Sequence, residues 1–494
     1  MTDTLDITGK YELSYAIPLH LRDEQIRHCI KRPDVGRIEP GPKRDEPIAL
    51  CCYGPSLRDT WQEAVQFPFV MSMSGSHRFL VERGRVPDFH VEVDPRPHKV
   101  GLIGEPQDKT TYYVSSCCHP AVFDHLKGHD VRIWHVFTGK EISFRPIPFG
   151  EWALSGGSGV GIRAVVLARM LGFHNIHVFG MDGSAHPKFG THAGDHPNQT
   201  TKLKDLEVNG RKFKTNASMM EVARETWPQL NTLPDTTVQF YGDGLVQEMA
   251  KAYVRADVPE NHTIIAVHKP ALMTKPYLET QRRLHRELPE YGTMAHHYAG
   301  IVNNMIAKIE PKTILDWACG KGCLGRQINR PIWEYDAAIP GKDESPPPAE
   351  FVTCLDTLEH VEEECLSAVL DDLRRVTQKV CYISIALTPA RKILPDGRNA
   401  HILLRDADWW RNKLGEFFQL GDSRVDEQDG SEGVKHMQIV VGPKTGAPKP
   451  GVQTVYAIRS GHEPAFGLLQ YDEDAKPAQP QKETPEPEKA GAAT

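Results

Sequence analysis

Glycines and acids that directly follow strand-like runs are the residues of this chain with the clearest chemical potential. In ILDWACGKG, residues 314–322, an apolar run leads into Asp316, Gly320 and Gly322. Glycine lets the backbone approach a ligand, and the N–H groups at the start of a helix bind polar groups. The following CLGRQI, residues 323–328, is predicted to be that helix. The pattern predicts a nucleotide pocket, although a tight strand-to-helix turn also needs glycine for steric reasons.

Further acids follow the next two strand-like runs. The first of these runs ends at Asp336, where a carboxylate can accept hydrogen bonds from ribose hydroxyls. Glu334, two residues earlier, could take this role instead. The second run, FVTCLDTLEHV, has Asp356, Glu359 and His360 at its exit. Three such features in this order are far more specific than a single glycine turn.

Together these features resemble the class I S-adenosylmethionine-dependent methyltransferases. ILDWACGKG is similar to the first motif of that family, with Ala318 where glycine is more usual. CLDTLEHV is similar to the motif after the fourth strand in small-molecule methyltransferases. The resemblance covers residues 285–445. It implies an S-adenosyl-L-methionine cofactor contacted by Asp316, Ala318, Gly320, Gly322, Asp336 and Asp356.

The chemistry that this resemblance implies needs little acid–base help, because the sulfonium is already an activated methyl donor. The protein must mainly align the nucleophile with the methyl group. His360 could deprotonate an oxygen or nitrogen acceptor, or it could cap the next helix or pack on the turn. His401, Trp409 and Trp410 could line an acceptor wall, or the two tryptophans could simply dock a helix. Motifs of DNA-methylating enzymes are missing, which favours a small-molecule or carbohydrate acceptor.

The first half of the chain carries two more glycine-rich turns and two more strand-end acids. Such a set suits a nucleotide or phosphorylated ligand in the crevice at the carboxyl ends of parallel strands. The more ordinary alternative is a well-capped helix start, since Ser56 is a reasonable N-cap. The predicted ligand-binding residues are Gly54, Pro55 and Ser56; Asp94; Gly156, Gly157 and Ser158; and Asp182.

These residues resemble the Rossmann-type family of 6-hydroxymethylpterin diphosphokinase-like proteins and, more distantly, the bacterial sialyltransferases that use a cytidine-linked sugar donor. The shared pieces are GPSL at 54–57, the glycine-rich turn and helix at 155–172, and G-x-D at 180–182. NGRKFKTNASMM at 209–220 and YGDGL at 241–245 fit the pterin-kinase-like group better. The resemblance covers about residues 45–250, and it indicates the fold more specifically than the reaction.

A histidine-rich loop follows the last of these acids, with His186, His192 and His196 in SAHPKFGTHAGDHPNQ. One of them could be a general base for an acceptor hydroxyl, as sialyltransferases use a histidine from the region after this strand. The loop could instead bind a metal, although its spacing matches no standard site, or it could be a polar surface loop. We favour His192 slightly over His196 as the base and predict no metal site.

The domain organisation follows from the apolar runs and the turns between them. Near-continuous apolar strands that alternate with helices, such as the helix predicted at 161–173, indicate parallel sheets covered on both faces. We therefore predict an α/β protein with two Rossmann-like domains and mostly parallel sheets. The predicted divisions are an N-terminal extension at 1–44, the first domain at 45–255, a linker and helix at 256–284, the methyltransferase-like domain at 285–445, and a C-terminal extension at 446–494, disordered from about 470.

Composition excludes several classes of protein. The net charge of −7 argues against a broad electrostatic grip on nucleic acid, although it leaves a local basic groove open. The ten cysteines contain no CxxC pair, which favours reduced thiols over zinc or disulfides. The start of the chain lacks a secretory signal, and no apolar run is long enough to span a bilayer. We expect a cytoplasmic protein.

The leading hypothesis is a two-domain transferase. Its C-terminal domain methylates a small-molecule or carbohydrate acceptor, and its N-terminal domain binds a nucleotide-linked or diphosphate ligand and could transfer a glycosyl or diphosphate group. A second hypothesis keeps the methyltransferase and makes the N-terminal half a noncatalytic binding module. A third is a phage-like enzyme that modifies nucleotides or nucleic acid. The methyl acceptor and the oligomeric state are not readable from the sequence.

Overall fold

The computed structural model describes residues 16–137, 146–197, 202–230, 233, 236–252, 266–427, 435–444, 454–458 and 465–468. These residues form an α/β protein with two separate sheets, and the parallel part of each is layered with helices. The predicted fold class, two Rossmann-like arrangements with mostly parallel sheets, is confirmed. None of the helices described is both long and apolar enough to cross a membrane.

The first sheet is built mainly from the strands of the N-terminal half, most of which are short and largely buried. A separate two-stranded hairpin, β9 with β10, lies between β8 and β11 in the chain. In chain order the strands are β1 (Gly36–Arg37), β2 (Ile48–Cys51), β3 (Phe69–Met73), β4 (Phe89–Glu92), β5 (Thr111–Ser115), β6 (Val131–Val136), β7 (Trp152–Leu154), β8 (Asn175–Phe179), β9 (Lys204–Val208), β10 (Arg211–Thr215), β11 (Thr237–Phe240) and β12 (Ala266–His268).

The helices of this half cover the sheet. They are α1 (Leu19–Ile30), α2 (Leu57–Ala64), α3 (Ser76–Val81), α4 (Lys99–Ile103), α5 (Pro120–His125), α6 (Val160–Met170), α7 (Ala217–Leu230) and α8 (Leu245–Ala252). Helix α6 is the one predicted at 161–173, and nearly all of its residues are buried because it crosses the sheet between β7 and β8. Gly172 ends it with φ at +97°, and a Cβ there would overlap the carbonyl of Pro42.

The strand order of the first sheet reverses at β2. From β2 to β7 each strand lies beside its predecessor, and the chain then returns to place β8 on the other side of β2. The strands from β11 through β7 are parallel, whereas β12 is antiparallel to β7. Ligands of open α/β sheets bind outside the carboxyl ends of the strands at such a reversal. The relevant crevice therefore lies beyond the ends of β2 and β8.

The second sheet contains β13 (Ile314–Trp317), β14 (Trp333–Tyr335), β15 (Ala349–Leu355), β16 (Thr377–Ala386), β17 (Phe418–Glu427) and β18 (Lys435–Pro443). Its order is β14-β13-β15-β16-β18-β17, with the first four strands parallel and the last two antiparallel to their neighbours. The chain passes from β13 to β14 on one side and then to β15 on the other. The second crevice is therefore expected beyond the ends of β13 and β15.

The helices around this sheet are α9 (Lys275–Glu287), α10 (Ala299–Ile309), α11 (Leu366–Val376) and α12 (Ala407–Phe417). The helix predicted at 323–328 is wrong in extent, because only a 3₁₀ turn at Gly325–Gln327 forms there. Gly322 and Gly325 lie so close to Glu334 that a Cβ on either would overlap its carboxylate. Pro331 follows within one turn, which leaves too few residues for a regular helix.

Segments outside the two predicted domains also join the first sheet. In the predicted extension, α1 packs on α5 through buried Cys29, and β1 pairs with β6. In the predicted linker, β12 pairs with β7, while residues 256–265 lie outside the described residues. Beyond 446, β19 (Thr454–Ile458) and β20 (Ala465–Leu468) continue the sheet after β12. The predicted disorder beyond 470 also lies outside the described residues.

Candidate functional site

The glycine turn after β13 begins with a deeply buried acid. Asp316 is 1% exposed, and its Oδ1 accepts a hydrogen bond of 2.8 Å from the hydroxyl of Thr353. Its Oδ2 is also buried and has no hydrogen-bond partner among the described residues. Burial raises the pKa of Asp316 to about 7. A carboxyl group with one unused oxygen at the end of a central strand is suited to receive a polar ligand group.

The acid after β14 is joined to this turn. Asp336 Oδ2 accepts a hydrogen bond of 3.0 Å from the amide of Gly320, and its Oδ1 accepts one of 2.9 Å from Ala338. Glu334, the alternative ribose ligand, instead pairs with Lys342 at 2.7 Å. Both acids lie beside the glycine turn, so both remain predicted ribose contacts. Asp336 additionally fixes the shape of the turn.

A segment before α10 covers the same turn. The amide of Lys321 donates a hydrogen bond of 2.9 Å to the carbonyl of Gly292, and its ammonium donates one of 2.8 Å to Pro289. Ala318 has a positive φ of +61°. The turn requires this conformation, which glycine adopts more readily, and glycine is more usual here in the methyltransferase motif that the turn resembles. The loop before α10 is therefore part of this crevice, a relationship that the sequence did not indicate.

Beyond β15, Asp356 lies in a cluster of polar side chains from four segments. Its Oδ1 accepts hydrogen bonds of 2.7 Å from the Tyr298 hydroxyl and 2.8 Å from Ser384, and it lies 3.4 Å from His436 Nδ1. Burial alone would raise the pKa of Asp356, but His436, Tyr298 and Ser384 lower it below its ordinary value. Asp356 also has a positive φ of +46°. Strain of this kind in a non-glycine residue is typical of functional sites.

His360 and His401, predicted as a base and as part of an acceptor wall, are close together. Their ring centroids are 4.9 Å apart. His360 Nδ1 lies 2.7 Å from the carbonyl of Ala400, and burial lowers the pKa of His360 to about 4. Trp410 is fully buried in the hydrophobic core. It therefore docks α12 on the sheet, which is the alternative to its predicted place in an acceptor wall. Trp409 packs partly buried beside it.

In the first sheet, the predicted turn after β2 and the acid after β8 are in direct contact. Gly54 donates a hydrogen bond of 2.8 Å to the carbonyl of Gly180, and a Cβ on Gly54 would overlap that oxygen. The amide of Ser56 donates one of 3.0 Å to Asp182 Oδ2. The Ser56 hydroxyl makes no capping bond to α2, so the alternative of a side-chain N-cap is wrong. Burial raises the pKa of Asp182 to about 6.

The acid after β4 lies in an ion cluster. Lys99, almost fully buried, donates a hydrogen bond of 3.0 Å to the hydroxyl of Ser74, and its ammonium lies 3.6 Å from both Glu92 and Asp94. Arg96 donates to Asp94 at 2.6 Å. Burial alone would raise the pKa of Asp94, but the hydrogen bonds from Arg96 and the charge of Lys99 lower it. Nothing in the sequence marks Lys99 as buried.

The glycine-rich turn before α6 is occupied by a side chain of the protein itself. Gly156 and Gly157 have φ of +115° and +27°, and the carbonyl of Gly157 accepts a hydrogen bond of 2.7 Å from Arg163. The amide and hydroxyl of Ser158 donate hydrogen bonds of 2.6 and 2.8 Å to one carboxylate oxygen of Glu225. A carboxylate therefore lies where a phosphate is predicted to bind.

The start of α6 also lies beside the crevice of the first sheet. A Cβ on Gly161 would lie 2.8 Å from the sulfur of Met181 and 3.1 Å from that of Cys52. Cys52 follows β2, and Met181 follows β8. The two predicted glycine-rich turns therefore approach the same strand ends.

The structure groups two of the three loop histidines. The rings of His192 and His196 stack with centroids 3.9 Å apart, and each lies 6.1 Å from the ring of Tyr53 after β2. His186 stacks instead on Phe189, 4.6 Å away. Burial lowers the pKa of His196 to about 3, so its imidazole is neutral near pH 7 but a weak base.

Comparison with protein-family models gave a match to part of the first half of the chain. Residues 24–186 match the family model described as 6-hydroxymethylpterin diphosphokinase MptE-like. This match supports the predicted resemblance of the first half to that group and begins before the predicted boundary at 45. The resemblance to sialyltransferases gains no support. Comparison with curated proteins gave no match.

Solved structures similar to part of this chain include several methyltransferases. The 1,6-didemethyltoxoflavin-N1-methyltransferase of Burkholderia thailandensis, with S-adenosylhomocysteine bound, is 11% identical with a TM-score of 0.27, covering 36% of this chain and 95% of its own. The N-methyltransferase NodS of Bradyrhizobium japonicum, also with S-adenosylhomocysteine, is 10% identical with a TM-score of 0.25. The match covers 33% of this chain and 98% of NodS. Magnesium protoporphyrin IX methyltransferase of Synechocystis is 13% identical with a TM-score of 0.24. The match covers 34% of this chain and 95% of that enzyme.

Proposed function

We propose that this protein is an S-adenosylmethionine-dependent methyltransferase whose cofactor binds in the crevice of the second sheet. The observation that carries the proposal is the meeting of Asp316, Gly320 and Asp336 at the ends of β13 and β14. This site adjoins the crevice beyond β13 and β15, where the strand order reverses and where open α/β sheets bind ligands. The acids and the glycine turn are the residues that carry the sequence resemblance to the methyltransferases.

The residues of this crevice fit the proposed cofactor. The unpartnered Oδ2 of Asp316 can accept a hydrogen bond from a ligand, and the carboxyl groups of Asp336 and Glu334 lie where ribose hydroxyls would need acceptors. The cofactor would supply an activated methyl group. The protein contributes binding and alignment through the glycine turn and the covering segment near Gly292.

The acceptor side of the crevice lies beyond β15. There Asp356, held by Tyr298 and Ser384, presents a carboxylate next to the half-buried rings of His360 and His401. This arrangement can bind and orient a small polar acceptor. A pKa near 4 makes His360 a poor base at neutral pH, so we assign it positioning rather than proton abstraction.

For the first half we propose binding of a phosphorylated or nucleotide-linked ligand. The support is the crevice at the ends of β2 and β8, the cationic side chains of Lys99 and Arg96, and the partial family match. We propose a binding module rather than a transferase for this half, because the features that support the proposal, the crevice and its cationic side chains, bind and orient a ligand.

Calorimetric titration of the full-length chain with S-adenosylhomocysteine tests the first proposal. We expect micromolar affinity, about −8 kcal/mol, and loss of most of it in Asp316→Ala. Asp371→Asn is the matched control, because Asp371 lies on α11 and pairs with Arg374 at 2.9 Å outside the crevice. Equal affinity in all three proteins would contradict the assigned site.

A further inference from the structure

Three side chains with metal-ligating atoms meet beside Asp356, brought there by two loops of the second sheet. Glu359 and His360 lie on the 3₁₀ turn Leu358–His360 that follows β15, and His401 lies in the loop that follows β16. The amide of Leu403 donates a hydrogen bond of 2.9 Å to the carbonyl of Glu359, which ties the loop to the turn. The three ligand atoms lie within 4.8 Å of one another.

Both imidazoles are oriented by backbone carbonyls. His360 Nδ1 lies 2.7 Å from the carbonyl of Ala400, and His401 Nδ1 lies 2.5 Å from that of Thr388. A carbonyl oxygen only accepts hydrogen bonds, so each Nδ1 carries the proton and each Nε2 keeps its lone pair. Histidine ligands of metal ions are commonly fixed by this type of outer contact.

The carboxylate between these loops has one oxygen unused. Glu359 is completely buried, and its Oε1 accepts a hydrogen bond of 3.0 Å from the amide of Ala386. Its Oε2 is buried and has no hydrogen-bond partner within the described part of the chain. Leaving a buried carboxyl oxygen unpaired is costly, and more so if it is charged. A bound cation would remove this cost.

We infer that Glu359, His360 and His401 bind a divalent transition-metal ion through one carboxylate oxygen and two imidazole nitrogens. Imidazole ligands suit Zn²⁺, Fe²⁺ and Co²⁺, whereas Mg²⁺ prefers an all-oxygen shell. Three protein ligands leave further positions for a bound molecule, as in catalytic rather than structural sites.

This site extends the sequence analysis, which predicts no metal. The three ligands are invisible as a motif because His401 is far along the chain from the other two. A cation here would lie on the acceptor side of the crevice, where it could act as a Lewis acid toward an oxygen of the acceptor. Metal binding itself does not depend on the proposed methyl transfer.

The test is titration of the full-length, EDTA-stripped protein with Co²⁺, followed by visible absorption, and with Zn²⁺, followed by calorimetry. We expect one ion per chain, with Mg²⁺ failing to compete at equal concentration. Even outer contacts of a metal site change affinity about 10–100-fold, so Glu359→Gln and His401→Gln should each weaken binding at least about 100-fold. Glu359→Gln retains an oxygen to accept the Ala386 amide, so the turn should stay folded.

Two controls define the outcome. His296→Gln removes a histidine that contacts only the turn before α10, through the carbonyl of Thr293, and it should leave Co²⁺ binding unchanged. His192→Ala tests the stacked pair His192 and His196 and should also leave Co²⁺ binding unchanged. Absence of Co²⁺ binding to the wild-type chain, or wild-type affinity in both ligand variants, would overturn the inference.

A second measurement does not depend on any variant folding. In the wild-type chain, Zn²⁺ should protect His360 and His401 from diethyl pyrocarbonate, as mapped by mass spectrometry, while His296 stays reactive. Equal modification of His360 and His401 with and without Zn²⁺ would contradict the site. Titration with S-adenosylhomocysteine in parallel separates failure of the metal site from failure of the proposed methyltransferase function.

Discussion

Asp336 Oδ2 accepts a hydrogen bond of 3.0 Å from the backbone amide of Gly320, which ties the acid after β14 to the glycine turn after β13. The same turn is covered from the other side by the carbonyl of Gly292. The two strand ends and the covering segment therefore form one unit. Changes at any of the three should affect both the stability of the turn and its affinity for a ligand.

Gly320→Ala should destabilise this unit. Gly320 has φ of +53°, and a Cβ there would overlap the carbonyl of Gly292. We expect a loss of about 2–4 kcal/mol, from backbone strain plus displacement of the covering segment, measured by urea unfolding. Gly341→Ala is the control, because its φ is +90° but nothing lies within 4 Å of a Cβ there. If both variants lose the same free energy of unfolding, the contact between Gly320 and Gly292 contributes nothing to stability.

Asp182→Asn should stabilise the protein at neutral pH. Burial raises the pKa of Asp182 from its ordinary 3.8 to about 6 in the folded state. The folded state therefore binds the Asp182 proton more tightly than the unfolded state does. The stability that this proton contributes is fully present below pH 4 and is lost as the pH rises through 6. The amide oxygen of asparagine can still accept the hydrogen bond from Ser56.

We therefore expect Asp182→Asn to gain about 2–3 kcal/mol over the wild-type chain at pH 8, shrinking toward zero at pH 4. Melting temperatures of both proteins from pH 4 to 8 measure this difference. Asp422→Asn, an exposed change on β17, is the control and should show no such trend. A constant difference across the pH range would contradict the raised pKa.

Glu225→Ala should open the second glycine-rich turn of the first half. The change removes the carboxylate that accepts hydrogen bonds from the amide and hydroxyl of Ser158. If this turn binds anions through its backbone, pyrophosphate affinity should rise at least about threefold, since the competing charge is gone. Glu221→Ala, on the same helix but paired with Arg224, is the matched control in calorimetry. Unchanged affinity in Glu225→Ala would remove this turn from the predicted ligand site.

The sequence predicted those parts of the fold that local patterns determine. A fully buried run such as β2 is apolar from end to end, and Gly172 ends α6 because only glycine tolerates its backbone there. The acids predicted at strand ends are found there, with Asp316 at the end of β13, Asp94 just after β4 and Asp182 just after β8. Short elements escaped notice, because β12 has only three residues and shows no period to recognise.

The parts of the site that the sequence missed all depend on contacts between distant segments. Lys99 lies close to one acid at the end of β4 and one just after it, yet its own neighbours in sequence are typical of an exposed helix start. Tyr298 and His436 reach Asp356 from elements far away in the chain. The contact of the Glu225 carboxylate with the glycine turn has no signal in the sequence, since nothing there distinguishes Glu225 from Glu221 on the same helix.

The most direct test of the central claim is a crystal structure of the full-length chain with S-adenosylhomocysteine. We expect the ligand at the carboxyl ends of β13 and β14, with its ribose within hydrogen-bond distance of Asp336 or Glu334. Its amino acid portion should lie beside Gly320 and Asp316. A ligand bound beyond β2 and β8, or a second crevice that stays empty at saturating concentration, would contradict the assignment.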